Sequence, residues 1–165
     1  MCSSDLGKPD LEMARTEAIA AIADGTGHDR VAPLNKGWSF AGPAAVLPPN
    51  LAMLYGLRDV QGYDSLLPGQ YKRWLADRMG SDPSPPEVGN MVFVRSPNEA
   101  VLDACGVRIV ASLERLPDAV GEESRHDNIW LYRRRGGRAR ATATDPSGRS
   151  THVTWIADSP GLVRS

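Results

Sequence analysis

Arg58, Asp59, Tyr63 and Asp64 fall within seven consecutive residues. A cation, two carboxylates and a phenol so close together could form a polar binding site at the carboxyl end of a strand, the position where open α/β sheets take ligands. The same residues have a plainer use, as an Arg-Asp pair and a Tyr hydroxyl that hold a turn together. No His and no further acid at fixed spacing accompanies them, so the structural use carries the greater weight. Gly62, just before Tyr63, points to a close backbone approach or a positive φ, which both uses need. The expectation for Tyr63 is a ring packed across the end of the sheet, with its hydroxyl bonded to nearby backbone or to Asp64.

Other chemistries find little support. The sequence contains no Gly-x-Ser-x-Gly elbow, Walker loop, HExxH or GxGxxG, so the reactions those motifs carry are not indicated, nor is any cofactor. His28, His126 and His152 lie far apart without paired spacing, and Cys2 and Cys105 are the only thiols. Neither set predicts a metal site or a disulfide framework. Cys105 is most simply a small buried apolar residue at a helix end. Arg133, Arg134, Arg135, Arg138 and Arg140 form the one dense charge cluster, but only Tyr132 offers an aromatic beside them. A nucleic-acid surface would interleave several; arginines around Gly136-Gly137 predict a solvated strand edge instead.

The elements that must position these residues follow from punctuation and periodicity. The 165 residues carry 19 basic and 20 acidic side chains, net −1, so no global field recruits a polyanion. That length suits one domain plus a remnant. Apolar stretches are broken by Pro, Gly or charge well short of the roughly 18 to 20 residues a membrane helix needs, which predicts that the chain as given is water-soluble. Leu11, Ala14, Ala18, Ile19 and Ile22 predict a helix from Asp10, with Glu12 near its start, closed at Gly25-Thr26-Gly27. Arg30 to Leu34 is a short strand, and Asn35 to Pro49 a loop. Asn50 is the expected N-cap of a helix over Leu51 to Tyr55 that Gly56 stops. Arg58 to Gln61 is the next strand, then a helix with Pro68 in its first turn ends at Gly80. Met91 to Val94 is a strand. Ser96-Pro97-Asn98-Glu99 has capping-box spacing for a helix closed by Gly106, and the strand Val107 to Ala111 follows. After a connection containing Pro and Glu come strands at Ile129 to Arg133, Arg138 to Thr144 and Val153 to Ile156. Helix, glycine, strand occurs twice and predicts an α/β fold: a mixed, largely parallel sheet of about four to five strands flanked by helices. Its core should hold Ile19, Ile22, Leu54, Tyr55, Val60, Trp74, Leu75, Leu102, Val107, Ile109 and Leu131.

Taken in order, several segments resemble the YfhO-like family of bacterial multi-spanning membrane proteins. They are the strand at Arg30-Val31, the block Asn-Leu-x-Met-Leu-Tyr-Gly-Leu-x-Asp-Val-x-Gly-Tyr-Asp-Ser-Leu at Asn50 to Leu66, and the Tyr-bearing helix from Tyr71 to Met79. Leu-Asp-x-x-Gly-Val-Arg-x-Val at Leu102 to Val110, x-Leu-Tyr-Arg at Trp130 to Arg133 and Arg-Ala-Arg at Arg138 to Arg140 complete the match. The chain departs from the family at Cys105, where Leu is commoner, and at Gly136-Gly137, where an Asn-x-Leu-Pro type of connection is usual. Family members resemble glycosyltransferases that use polyprenyl-phosphate sugars at the outer side of the bacterial cytoplasmic membrane, some of them on cell-envelope polymers. Their catalytic acid lies on a loop between membrane helices. The resemblance therefore implies that this chain is an extracytoplasmic, non-catalytic part, with membrane helices of a parent chain, and a carbohydrate or envelope polymer, as partners. Cys2-Ser3-Ser4-Asp5-Leu6 reads like a translated sequencing-adapter tail. The expected division is residues 1–6 as that tail, 7–144 as the α/β domain, and 145–165 as the truncated start of a β-rich domain.

Overall fold

A computed structural model describes residues 14–36, 45–84, 89–116, 121–135, 142–144 and 150–152. Helix α1 spans Glu17–Thr26. Thr16 caps it by accepting the Ile19 N–H at 3.3 Å, and Glu17 sits in the first turn. Ala18, Ile22 and Thr26, four residues apart, form its buried edge. The predicted earlier start, with Leu11 and Glu12, lies outside the described residues.

Strands β1 (Arg30–Leu34), β4 (Val107–Ser112), β5 (Glu122–His126) and β6 (Ile129–Arg133) make one mixed sheet in the order β1-β4-β6-β5. Helices flank it, as the sequence predicts. β4 is central, parallel to β1 and antiparallel to β6, while β5 and β6 form an antiparallel hairpin. Parallel pairing gathers around β1, whose other side takes single parallel bridges from Asp59 at Val31 and from Val94 at Leu34.

β5 was expected only as a connection. Glu-Glu-Ser-Arg-His offers no apolar alternation because the strand is an edge, and charge on an edge discourages pairing with another chain. Its Arg125 lies over the Trp130 ring on β6 at 5.2 Å. On the way into β5, a Cβ on Gly121 would stand 2.2 Å from the Arg133 carbonyl oxygen.

Arg58 to Gln61 is not a strand. The Arg58 carbonyl accepts the Val31 N–H and the Val60 carbonyl accepts the Tyr71 hydroxyl, so separate partners satisfy the backbone without a ladder. The ladder comes one step later, where β2 (Gly62–Tyr63) pairs antiparallel with β3 (Met91–Val92). Leu51 to Tyr55 forms only a 3-10 turn, Ala52–Tyr55. In that tighter winding Ala52 is the buried residue and Leu54 is 57% exposed, so Leu54 does not join the core.

Helix α2 (Gly69–Met79) starts after Pro68 and stops at Gly80, and α3 (Glu99–Ala104) stops before Gly106. Asn98, rather than Ser96, caps α3: its Oδ1 accepts the Val101 N–H at 3.0 Å while its amide reaches the Arg78 carbonyl of α2. One amide side chain thus caps α3 and ties it to α2. Strands β7 (Thr142–Thr144) and β8 (Ser150–His152) pair antiparallel with each other, and the domain boundary expected at residue 144 falls between them. The strand predicted at Val153 to Ile156 lies outside the described residues, as do Gly136-Gly137.

The sheet has an apolar cluster on each face. Ile22 of α1 packs with Val31, Ile109, Ala111 and Leu131 on one side. Leu75 of α2 and Val101 and Leu102 of α3 pack with Val60, Val107, Val110 and Tyr132 on the other. Ile19, Tyr55 and Trp74 are partly buried against these clusters.

The arginine run does not behave as one solvated edge. Arg134 is 4% exposed. Its guanidinium donates to the Glu99 and Asp103 carboxylates on α3 and to the Val107 carbonyl, and its backbone N–H donates to Arg108. It fastens α3 to the end of β6. Glu99 is largely solvated, so its share is that of a surface ion pair, whereas removing Arg134 strands buried backbone and opens a void. Arg134→Ala should cost about 3 kcal/mol in urea unfolding, and Glu99→Gln less than about 1. Equal costs would remove Arg134 from this role.

Candidate functional site

Asn50 holds the block together by a route other than capping. Its φ is 71°, and its side chain pairs with the backbone of Tyr63, the amide donating to the carbonyl at 2.6 Å and Oδ1 accepting the N–H at 3.3 Å. The residue thus acts as a mock strand beside β2. It tolerates the left-handed backbone because a short amide side chain can compensate locally. Gly56, φ 69°, turns the chain after the 3-10 turn as its sequence position implies. Gly62 marks a close approach, since a Cβ there would lie 3.1 Å from Leu67 Cδ1.

The four candidate residues do not converge on one site. Arg58 is exposed and donates to the His28 carbonyl at 3.0 Å. Asp64 is exposed, and its Oδ1 accepts the Leu66 N–H at 2.8 Å, fixing the turn that follows. Tyr63 is 46% exposed, so its ring does not pack across the sheet end. Tyr63 pairs with buried Met91, but the ladder is only two residues long and does not enclose the Tyr ring.

Asp59 alone points inward. Its Oδ2 is buried without a hydrogen-bond partner, and burial pushes its carboxyl up to about 6, although its own backbone N–H and the charge of Arg30 pull the other way. Around it stand residues with no local sequence signal. Arg30 donates to the Cys105 carbonyl at 2.9 Å. Tyr71 donates to the Val60 carbonyl, and burial, with Cys105 beside it, pushes its phenol upward. Burial likewise raises the Cys105 thiol, which favours the inert protonated form. These groups lie by the amino end of β1, away from the end where open α/β sheets bind ligands. Among the described residues no group of three or more His, Cys, Asp or Glu side chains could hold a metal.

The block also shows large apolar side chains to solvent. Met53, Leu54, Tyr63 and Leu66 are exposed by 67, 57, 46 and 85%. Asn50 links the two segments that carry them. No protein-family model, curated protein or solved structure matches the chain.

Replacing Asn50 by Ala removes both bonds to Tyr63 and leaves a Cβ residue at positive φ, so it should lower stability by about 1 to 2 kcal/mol. Tyr63→Ala should cost less than about 1, as an exposed position does. The opposite order in urea melts would mean that the Tyr63 ring, rather than Asn50, holds the block.

Asp59 gives a pH signature. Its folded value lies above the unfolded one of 3.8, so the folded state holds the proton more tightly. The side chain is therefore harmless below about pH 4 and destabilises progressively as pH rises through 6. Asp59→Asn should raise stability at pH 8 by about 2 kcal/mol and change it little at pH 4. A constant difference between the two proteins at both pH values would refute the assignment.

Proposed function

We propose that this chain is a non-catalytic, extracytoplasmic domain of a bacterial membrane protein of the YfhO-like kind, a glycosyltransferase using polyprenyl-phosphate sugars. The observation that carries the reading is the character of the Asn50 to Leu66 block, the part in which the resemblance is densest. Asn50, Arg58 and Asp64 bond to the chain's own backbone, and Met53, Leu54, Tyr63 and Leu66 stand in solvent. A run of exposed large apolar side chains on a tied-down segment is what a docking face needs. Here the partner is the membrane part of the same parent protein, which the domain would steady or to which it would present an acceptor polymer. Among the described residues no helix is long and apolar enough to cross a membrane.

The competing reading is a free-standing α/β domain with a small-molecule site at Arg58, Asp59 and Asp64. Buried Asp59 is the observation on its side, because strongly shifted acids gather at functional sites. The separate engagements of Arg58 and Asp64 weigh against it.

Genomic sequence upstream of the domain, followed by labelling of the parent protein, tests the proposal. Membrane helices should precede the domain in frame. A cysteine placed at Leu66 should react readily with a maleimide in the 165-residue chain, and about tenfold more slowly in the membrane-embedded parent. An upstream region without membrane helices, or equal labelling in both settings, would overturn it.

A further inference from the structure

The carboxyl ends of the parallel strands β1 and β4 open into a cleft of about 110 Å³, lined by Asn35, Lys36, Arg95, Ser112 and Glu114 over leucine side chains. Strand ends of this kind are where open α/β sheets take ligands. The cleft lies outside the Asn50 to Leu66 block, and nothing in the accessory-domain reading uses it. Its volume leaves room for a few waters or one compact group. An organic ligand needs about 300 Å³ or more.

The lining has a surplus of donors. Asn35 is fully engaged: its amide donates to the Val46 carbonyl and to Gln61 Oε1, and its oxygen accepts the Val46 N–H. It forms a wall and has nothing left for a ligand. Ser112 Oγ accepts the Glu114 N–H at 3.2 Å, which leaves its hydroxyl proton free to give. Lys36 and Glu114 pair at the rim, both largely in solvent. Arg95 has no carboxylate partner among the described residues. One of its terminal nitrogens is anchored on the Ser84 carbonyl at 3.2 Å, and its Nε is buried without a partner. A guanidinium with no carboxylate partner among the described residues, a hydroxyl donor and a movable ammonium around a space this small favour a compact oxyanion. We propose that the cleft binds phosphate, free or as a terminal monoester, with Arg95 as the principal contact, Ser112 as a hydrogen-bond donor and Lys36 as a rim charge.

This inference goes beyond the accessory-domain reading and does not rest on it. The test is a titration of the full ¹⁵N-labelled chain with inorganic phosphate at constant ionic strength, followed by NMR. Saturable shifts should concentrate at Lys36, Arg95, Ser112 and Glu114. Arg95→Gln should weaken binding about tenfold, and Lys36→Gln, at a solvated position, about threefold. Glu114→Gln frees Lys36 from its partner and should tighten binding about threefold. Should Arg95→Gln fail to fold, the opposed responses of the Lys36 and Glu114 variants decide. Non-saturating shifts, shifts spread equally over Arg115 and Arg125, or unchanged binding in the variants would overturn the site. Saturation by acetate with none by phosphate would overturn the phosphate assignment.

Discussion

The side chain of Asn35 is the join on which the irregular half of the molecule depends. It is 2% exposed and sits just past the end of β1. Its amide donates to Val46 and Gln61, its oxygen accepts from Val46, and its backbone N–H donates to Val94. Gln61 passes the connection on to the Leu47 carbonyl at 3.4 Å. Three non-repetitive stretches thus meet one buried amide. They cover the side of β1 that β4 leaves open, and without a full ladder there their backbone groups need specific partners. A buried polar network satisfied in this way fixes one arrangement of the segments, whereas an apolar residue of the same size would tolerate several.

The functional reading depends on that fixed arrangement. With the chain clamped at Val46, Gln61 and Val94, Asn50 can bind the Tyr63 backbone and hold the apolar residues of the block outward. Asp59 works against stability, since its Oδ2 is buried without a partner near the amino end of β1. A chain under selection for stability alone would favour an amide or an apolar residue there.

Local chemistry made much of the fold legible. β4 was visible because α3, Gly106 and a β-branched run stand in direct succession, and Gly56 and Gly80 announced left-handed stops where the backbone has them. What stayed hidden depends on distance along the chain. Asn35 finds its partners 11 and 26 residues away and carries no periodic signal. Arg134 looks like its neighbours in an Arg-Arg-Arg run, and only carboxylates 31 and 35 residues upstream single it out. β5 lacks alternation because water covers much of it. The candidate site divides in the same way: four residues close in sequence do not converge, and the buried acid among them gains its environment from Arg30, Tyr71 and Cys105, brought from three other elements.

The most direct test of the Asn35 clamp is hydrogen exchange at the backbone amide of Val46. This residue belongs to no helix or strand, and its N–H donates to Asn35 Oδ1 at 2.8 Å in a buried setting. If the clamp orders the irregular segments, the Val46 amide should exchange as slowly as the central β4 amide of Val110 and lose that protection in Asn35→Ala. Exchange of Val46 at the rate of an open loop in the unsubstituted protein would contradict the account.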